Sequence, residues 1–234
     1  LAANKVLHRV EQAYGKPGFD CPPDPIPHRA PDMKFGCFPD ANGVTVSALG
    51  GSLIFTANGG TDDISVIDTA MAVAGKSGAE KARIPVQTGG FGIATSPDGR
   101  LVAHASREDA RSGKEGNTVS IIDVEKAAVD PAKAEIGRVL VGTDDKEVAT
   151  RPFVAAFTPD GKRIVSTQFR ANNVDIIDVE KAIAGQPATI KRIELKTGSD
   201  KPSRPRGIAI TPDGKYAAIT GVPRGEPNSS MIWI

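Results

Sequence analysis

The residues of this chain best suited to chemistry are arginines in loops. Arg107, Arg111, Arg151, Arg170, Arg204, Arg206 and Arg224 fall in segments flanking short apolar runs: SREDARSGKEGN (106–117), TRPFV (150–154), FRANN (169–173), SRPRG (203–207) and GVPRGEPN (221–228). A guanidinium is planar, permanently charged and presents a fork of N–H donors, so a cluster of them suits bidentate contact with a carboxylate or phosphate. The chain as a whole carries a net charge of only +1, so such a cluster would be one positive surface on a nearly neutral protein. Nothing global favours nucleic acid as a partner. The competing reading is that these arginines are solvated loop residues paired with Asp62, Asp63, Glu108, Asp109 and Glu226. Phe153 and Phe169 lie in these segments, and Phe91 in TGGFG (88–92), the loop that corresponds to TRPFV and SRPRG.

Other chemistries find less support. The histidines are His8, His28 and His104, and none stands beside a GxSxG motif, so no nucleophile, base and acid can be assembled. His104 lies inside the apolar run LVAHAS (101–106), where a packed imidazole is expected. Cys21 and Cys37 bound one Pro-rich loop within 15–40, which reads as a local disulfide made in an oxidising compartment, the alternative being two free thiols. His28 and Met33 between them are soft ligands, but no CxxC or HxH spacing accompanies them, and no CxxCH offers a covalent haem site. GGTDD (59–63) lacks the Asp spacing and distal Glu of a calcium loop and reads as a tight connection. No catalytic constellation emerges and no cofactor is called for.

These loops must be positioned by a unit that occurs four times. Its third strand-like segment reads DISVID (63–68), TVSIID (118–123), NVDIID (173–178) and SMIWI (230–234), with Asp68, Asp123 and Asp178 each 55 residues apart. Before it come a segment with a basic centre at Arg9, Arg83, Arg138 or Arg192, a strand of small apolar residues, and a hairpin. Three hairpins turn on SPDGR (96–100), TPDGK (158–162) and TPDGK (211–215). In these turns Pro presets φ, Asp accepts local hydrogen bonds and Gly takes positive φ. After each VID segment an Ala-, Lys- and Glu-containing stretch predicts one or two helical turns. A period of this length built from strands predicts an all-β propeller of four-stranded antiparallel blades. About four units are present, at about 5–68, 81–123, 135–178 and 189–234 of a single domain 1–234, as an incomplete ring. No apolar run approaches the roughly 20 residues of a spanning helix, so no membrane insertion is expected.

FTAN (55–58) followed by ISVID (64–68), the recurrent PDG turn and GIAITPDGKYAAIT (207–220) resemble the YVTN-repeat β-propellers, a seven-bladed, WD40-like family of bacteria and archaea. The resemblance covers about residues 43–234 and implies that this chain is a fragment of a larger ring. It places the entering and leaving loops at one mouth of the central channel, where the three phenylalanines form either a rim or a plug. The expected function is an exported binding or interaction protein, periplasmic or at the cell surface. Its basic mouth, with Arg107, Arg151, Phe153, Arg170, Arg204, Arg206 and Arg224, would face a small anionic ligand or a protein partner. The alternative is an enzyme or redox-enzyme subunit, since related propellers include lactonases and the propeller subunits of quinoprotein or haem amine dehydrogenases.

Overall fold

A computed structural model of the chain describes residues 6, 8–10, 12, 40–47, 49, 51–109, 113–197, 201–223 and 230–234. Four antiparallel sheets follow one another along the chain. The first contains β1 (Ala41–Val46), β2 (Leu53–Asn58), β3 (Asp63–Asp68) and β4 (Glu80–Pro85). The second contains β5 (Gly90–Thr95), β6 (Leu101–Ser106), β7 (Thr118–Asp123) and β8 (Glu135–Leu140). The third contains β9 (Pro152–Phe157), β10 (Arg163–Gln168), β11 (Asn173–Asp178) and β12 (Thr189–Glu194). The fourth contains β13 (Pro205–Ile210), β14 (Ala217–Gly221) and β15 (Met231–Trp233). Each is an up-and-down meander, the form of a propeller blade. The first strands adjoin in order, β1 beside β5, β5 beside β9 and β9 beside β13, so they line the axis of an arc.

The basic segment that opens each sequence unit closes the sheet of the blade before it: Arg83 lies on β4, Arg138 on β8 and Arg192 on β12. Sequence repeat and blade are therefore out of phase by one strand. The first copy, VLHRVE, forms no strand at its described positions 6 and 8–10. Just beyond it, Gln12 donates through Nε2 to Thr56 Oγ1 and Ser65 Oγ, both at 2.8 Å, within the first blade. The outer-strand arginines serve the framework: Arg83 holds Glu80 at 3.0 Å, Arg138 holds Glu135 at 2.6 Å, and Arg192 holds the buried Asp175 at 2.9 Å.

Because side chains alternate along a strand, each sheet offers one face to each neighbour. Phe55, Ile64, Val66 and Ile84 of the first blade pack with Val102 and Ile122 of the second. Ala103, Ala105, Val119 and Ile121, on the other face, pack with Ala155, Phe157, Ile164 and Ile177 of the third. His104 shares the Val102 face, is fully buried, and neither ring nitrogen has a hydrogen-bond partner. Burial, with a smaller push from the charge of Arg138, lowers its pKa from 6.5 to about 3, so it is neutral near pH 7.

The recurring aspartate of the VID segments is a helix cap. Asp68, Asp123 and Asp178 accept from the backbone N–H of Met71, Lys126 and Lys181 at 2.8, 2.9 and 3.0 Å. They open α1 (Thr69–Val73), α2 (Val124–Val129) and α3 (Val179–Ile183), the expected short helices between third and fourth strands. The PDG turns form as their residues dictate. Asp98, Asp160 and Asp213 accept from a Ser or Thr hydroxyl at 2.6 Å, and Gly99, Gly161 and Gly214 take φ of 76°, 70° and 70°.

Candidate functional site

The end of the arc opposite the PDG turns carries the arginine loops, and one backbone arrangement recurs there. The residue seven before each Ser or Thr at the inner hairpin is Asp40, Gly89, Arg151 or Arg204. In every blade its carbonyl accepts from the loop leaving the second strand: Gly59 N at 3.0 Å, Arg107 N at 3.0 Å, Phe169 N at 2.9 Å and Val222 N at 3.4 Å. Its own N–H is held by the preceding blade. Gly89 donates to Asp62 Oδ1 at 2.6 Å, Arg151 to the Gly116 carbonyl at 2.9 Å, and Arg204 to Asn172 Oδ1 at 3.0 Å. Entering and leaving loops are thus locked together, and each blade to the next.

The pairing register slips between Gly90 and Ile93, near Pro152, and between Pro205 and Ile208, so each inner strand begins with a bulge. A bulge re-aims the side chains it contains. Phe91, Phe153 and Arg206, each five residues before the turn, occupy it. Phe91 and Phe153 have ring centroids 4.6 Å apart, and Phe153 and Phe169 are 5.9 Å apart and stacked. Guanidiniums cover this ladder. Arg107 lies 5.4 Å from the Phe91 ring and 5.5 Å from Phe153, and Arg206 lies 5.8 Å from Phe153 and 5.6 Å from Phe169. Arg151 and Arg204 stand 5.3 and 5.2 Å from Phe169. A cation over an aromatic face gains roughly 0.5–2 kcal/mol, more where water is excluded.

Two carboxylates enter the cluster on the loop after β6. Glu108 holds Arg107 at 3.3 Å and Arg151 at 2.8 Å, while Glu115 holds Arg151 at 3.0 Å and makes a two-point contact with Arg170. Burial works to raise the Glu115 carboxyl, but the hydrogen bond from Arg170 and the charge of Arg151 outweigh it and hold it below the ordinary range. The same bond raises Arg170. Burial lowers Arg107, with Glu108 opposing.

The structure therefore brings together Arg107, Arg151, Phe153, Arg170, Arg204 and Arg206. Arg111, Arg224 and the Cys21–Cys37 pair lie outside the described residues. Of the carboxylates expected to pair with loop arginines, Glu108 does so. Asp62 caps a backbone N–H, and Asp63 accepts from Asn58 and Thr61 at 2.7 and 2.8 Å while standing 3.7 Å from Arg83. GGTDD is the tight connection expected. Glu115 was not foreseen, although its place in a long charged loop was the signal available. The phenylalanines form a platform on which four of the arginines lie.

Arg151 and Arg204 adopt φ of 53° and 48°, and Asp40 shares this conformation at 50°. Left-handed backbone costs a non-glycine residue roughly 1–2 kcal/mol, so framework packing alone would favour glycine here. If Arg204 serves a ligand and not the framework, Arg204→Gly should leave stability within about 1 kcal/mol of the parent, or above it, while weakening any binding of anions at this face. Thermal melts beside a binding titration check this, and lower stability with unchanged binding would assign Arg204 to the framework.

The fold and this face define a β-propeller arc with an arginine-rich, aromatic-backed cluster at one end. Among 793 solved chains that match is Kuenenia stuttgartiensis hydrazine synthase, with a TM-score of 0.59 and 22% identity over 82% of this chain and 49% of that one. The chain thus spans about half the length of that structure, and the likeness is one of fold. No protein-family model and no curated protein sequence matches the chain.

Proposed function

We propose that this chain is a binding propeller, of the YVTN-repeat type that its strands and turns resemble, presenting its basic mouth to a small anionic ligand or a protein partner. The observation that carries this reading is the gathering of Arg107, Arg151, Arg170, Arg204 and Arg206 around three adjoining phenylalanine rings, against the two carboxylates of Glu108 and Glu115. Like charges held this close are relieved by an incoming anion, and ring backing removes competing water. Export to the periplasm or cell surface is part of the proposal and rests on the sequence of the Cys21–Cys37 loop. Replacing Arg204 and Arg206 together with Ala should abolish the salt-sensitive binding of succinate or an oligoglutamate peptide, read by calorimetry at low and high ionic strength. Unchanged affinity in a folded double variant would overturn the proposal.

A second reading, an enzyme or redox-enzyme subunit, draws support from the fold shared with a protein named as a synthase. Visible absorbance or stoichiometric metal in protein purified from its source would favour it. A colourless, metal-free preparation favours binding.

A further inference from the structure

Two arginines of the mouth show what a stacked guanidinium does in this protein. Arg107 lies over Phe91 and Phe153 and directs Nη1 to Glu108 at 3.3 Å. Arg151 lies over Phe169 and directs Nη2 to Glu108 at 2.8 Å and Nη1 to Glu115 at 3.0 Å. The two contacts are compatible because a guanidinium meets a ring with its face and a carboxylate with its N–H edge. Each of these arginines therefore shows one arrangement: ring, guanidinium, carboxylate.

Arg206 repeats the first two parts. It lies over Phe153 and Phe169, at 5.8 and 5.6 Å, and is exposed to solvent. Among the described residues it has no carboxylate partner. It also stands where the two preceding blades carry Phe91 and Phe153, so the fourth blade puts a charge where the ladder otherwise places a ring. Its backbone is fixed, the Arg206 carbonyl accepting from Thr167 Oγ1 at 2.8 Å. Arg204 places a second guanidinium on the same Phe169 ring.

Building on the proposed basic mouth, we infer that Arg206 is an open carboxylate fork: it takes the carboxylate of a ligand where Arg107 and Arg151 take Glu108 and Glu115. The group recognised is a carboxylate, because that is the group Arg107 and Arg151 hold within the protein. It is supplied either by a free carboxylic acid or by an Asp or Glu side chain of a partner.

The test titrates the full chain with succinate, an oligoglutamate peptide and inorganic phosphate, and repeats this with Arg206→Gln and Arg206→Lys. The expected result is carboxylate binding that falls by about tenfold or more in Arg206→Gln, the loss of one charge-assisted fork. Arg206→Lys should not restore it, since an ammonium keeps the charge without the fork. Phosphate should bind more weakly than either carboxylate. Succinate binding identifies a free acid as sufficient, and binding of the peptide alone identifies a partner's side chains; both support the fork. If phosphate binds as tightly, or if Arg206→Gln binds carboxylates like the parent, the fork is overturned and the basic mouth stands. If none of the probes binds, the basic mouth falls as well. Arg206 is exposed, so both variants should melt like the parent, which separates lost binding from lost folding.

Discussion

Gly92→Ala should lower the melting temperature by roughly 5–10 °C, and by more than Gly207→Ala, at the same place in another blade. Both glycines stand four residues before the Ser or Thr that opens the inner hairpin. A Cβ on Gly92 would lie 2.6 Å from the Phe153 carbonyl oxygen and 2.6 Å from Val154 Cα, both backbone atoms of the next blade. On Gly207 it would meet Thr220 Oγ1 at 3.0 Å, a side chain that can turn away. Backbone cannot yield without moving a strand, so the Gly92 substitution belongs at the upper end of the roughly 1–3 kcal/mol that overpacking costs. For a domain of this size each kcal/mol shifts the midpoint by about 2–4 °C. At the half-buried Gly207 the cost is at most the hydrogen bond that Thr220 Oγ1 accepts from the Gly207 N–H at 3.0 Å, about 1 kcal/mol, and so the smaller of the two. The consequence reaches the mouth, because Gly92 follows Phe91 and the displaced backbone carries Phe153. Their 4.6 Å contact and the seat of Arg107 across both rings should loosen together. Equal melting shifts in the two variants would show that close approach of β5 and β9 is not what requires glycine at 92.

How far the sequence reached can be judged residue by residue. The hairpins were legible because a PDG turn specifies its backbone locally: proline, aspartate and glycine act within five residues of one another. The aspartates 55 residues apart were legible as a repeat, but their role as helix caps became visible only once the helices were placed. The grouping of strands was misleading, since a repeat can be cut at any point, and Arg83, Arg138 and Arg192 serve the blade before the one they seemed to open. The grouping of the arginine loops at one end came from the resemblance to YVTN-repeat propellers together with the order of strands. What eluded the sequence was non-local. Glu115 neutralises Arg151 and Arg170 of the neighbouring blade, 36 and 55 residues away, and no spacing rule links them. The bulges that aim Phe91, Phe153 and Arg206 came with a weak signal, the Arg-Pro pairs at 151–152 and 204–205. Backbone at those arginines is left-handed, which sequence does not announce for a non-glycine residue.

Acid should destabilise this fold through His104. Its pKa falls from 6.5 to about 3 on folding because the ring is fully buried, without a hydrogen-bond partner. Between those values the unfolded chain binds a proton that the folded chain refuses, so stability falls as pH falls. The contribution is fully present above about pH 6.5. On passing from about pH 7 to about pH 4 the loss is on the order of 3 kcal/mol. Asp98 and Glu115 also have lowered values, but their contributions are lost below the ordinary carboxylate range, with 3.8 and 4.5 as starting points. The interval just below pH 6.5 is therefore where His104 acts alone of the three. His104→Gln keeps a polar side chain of similar size but cannot titrate. Urea melts across this range should show the parent losing stability relative to the variant as pH falls, and parallel profiles would remove His104 as the cause. His104 packs directly on Gly90: a Cβ there would lie 1.7 Å from Nε2 of His104, so only glycine fits beside the ring. Gly90 is also the first residue of β5, immediately before Phe91. Because the folded chain keeps this ring neutral down to about pH 3, the loss over this interval is a loss of folded population and not a rearrangement of the strand that carries Phe91.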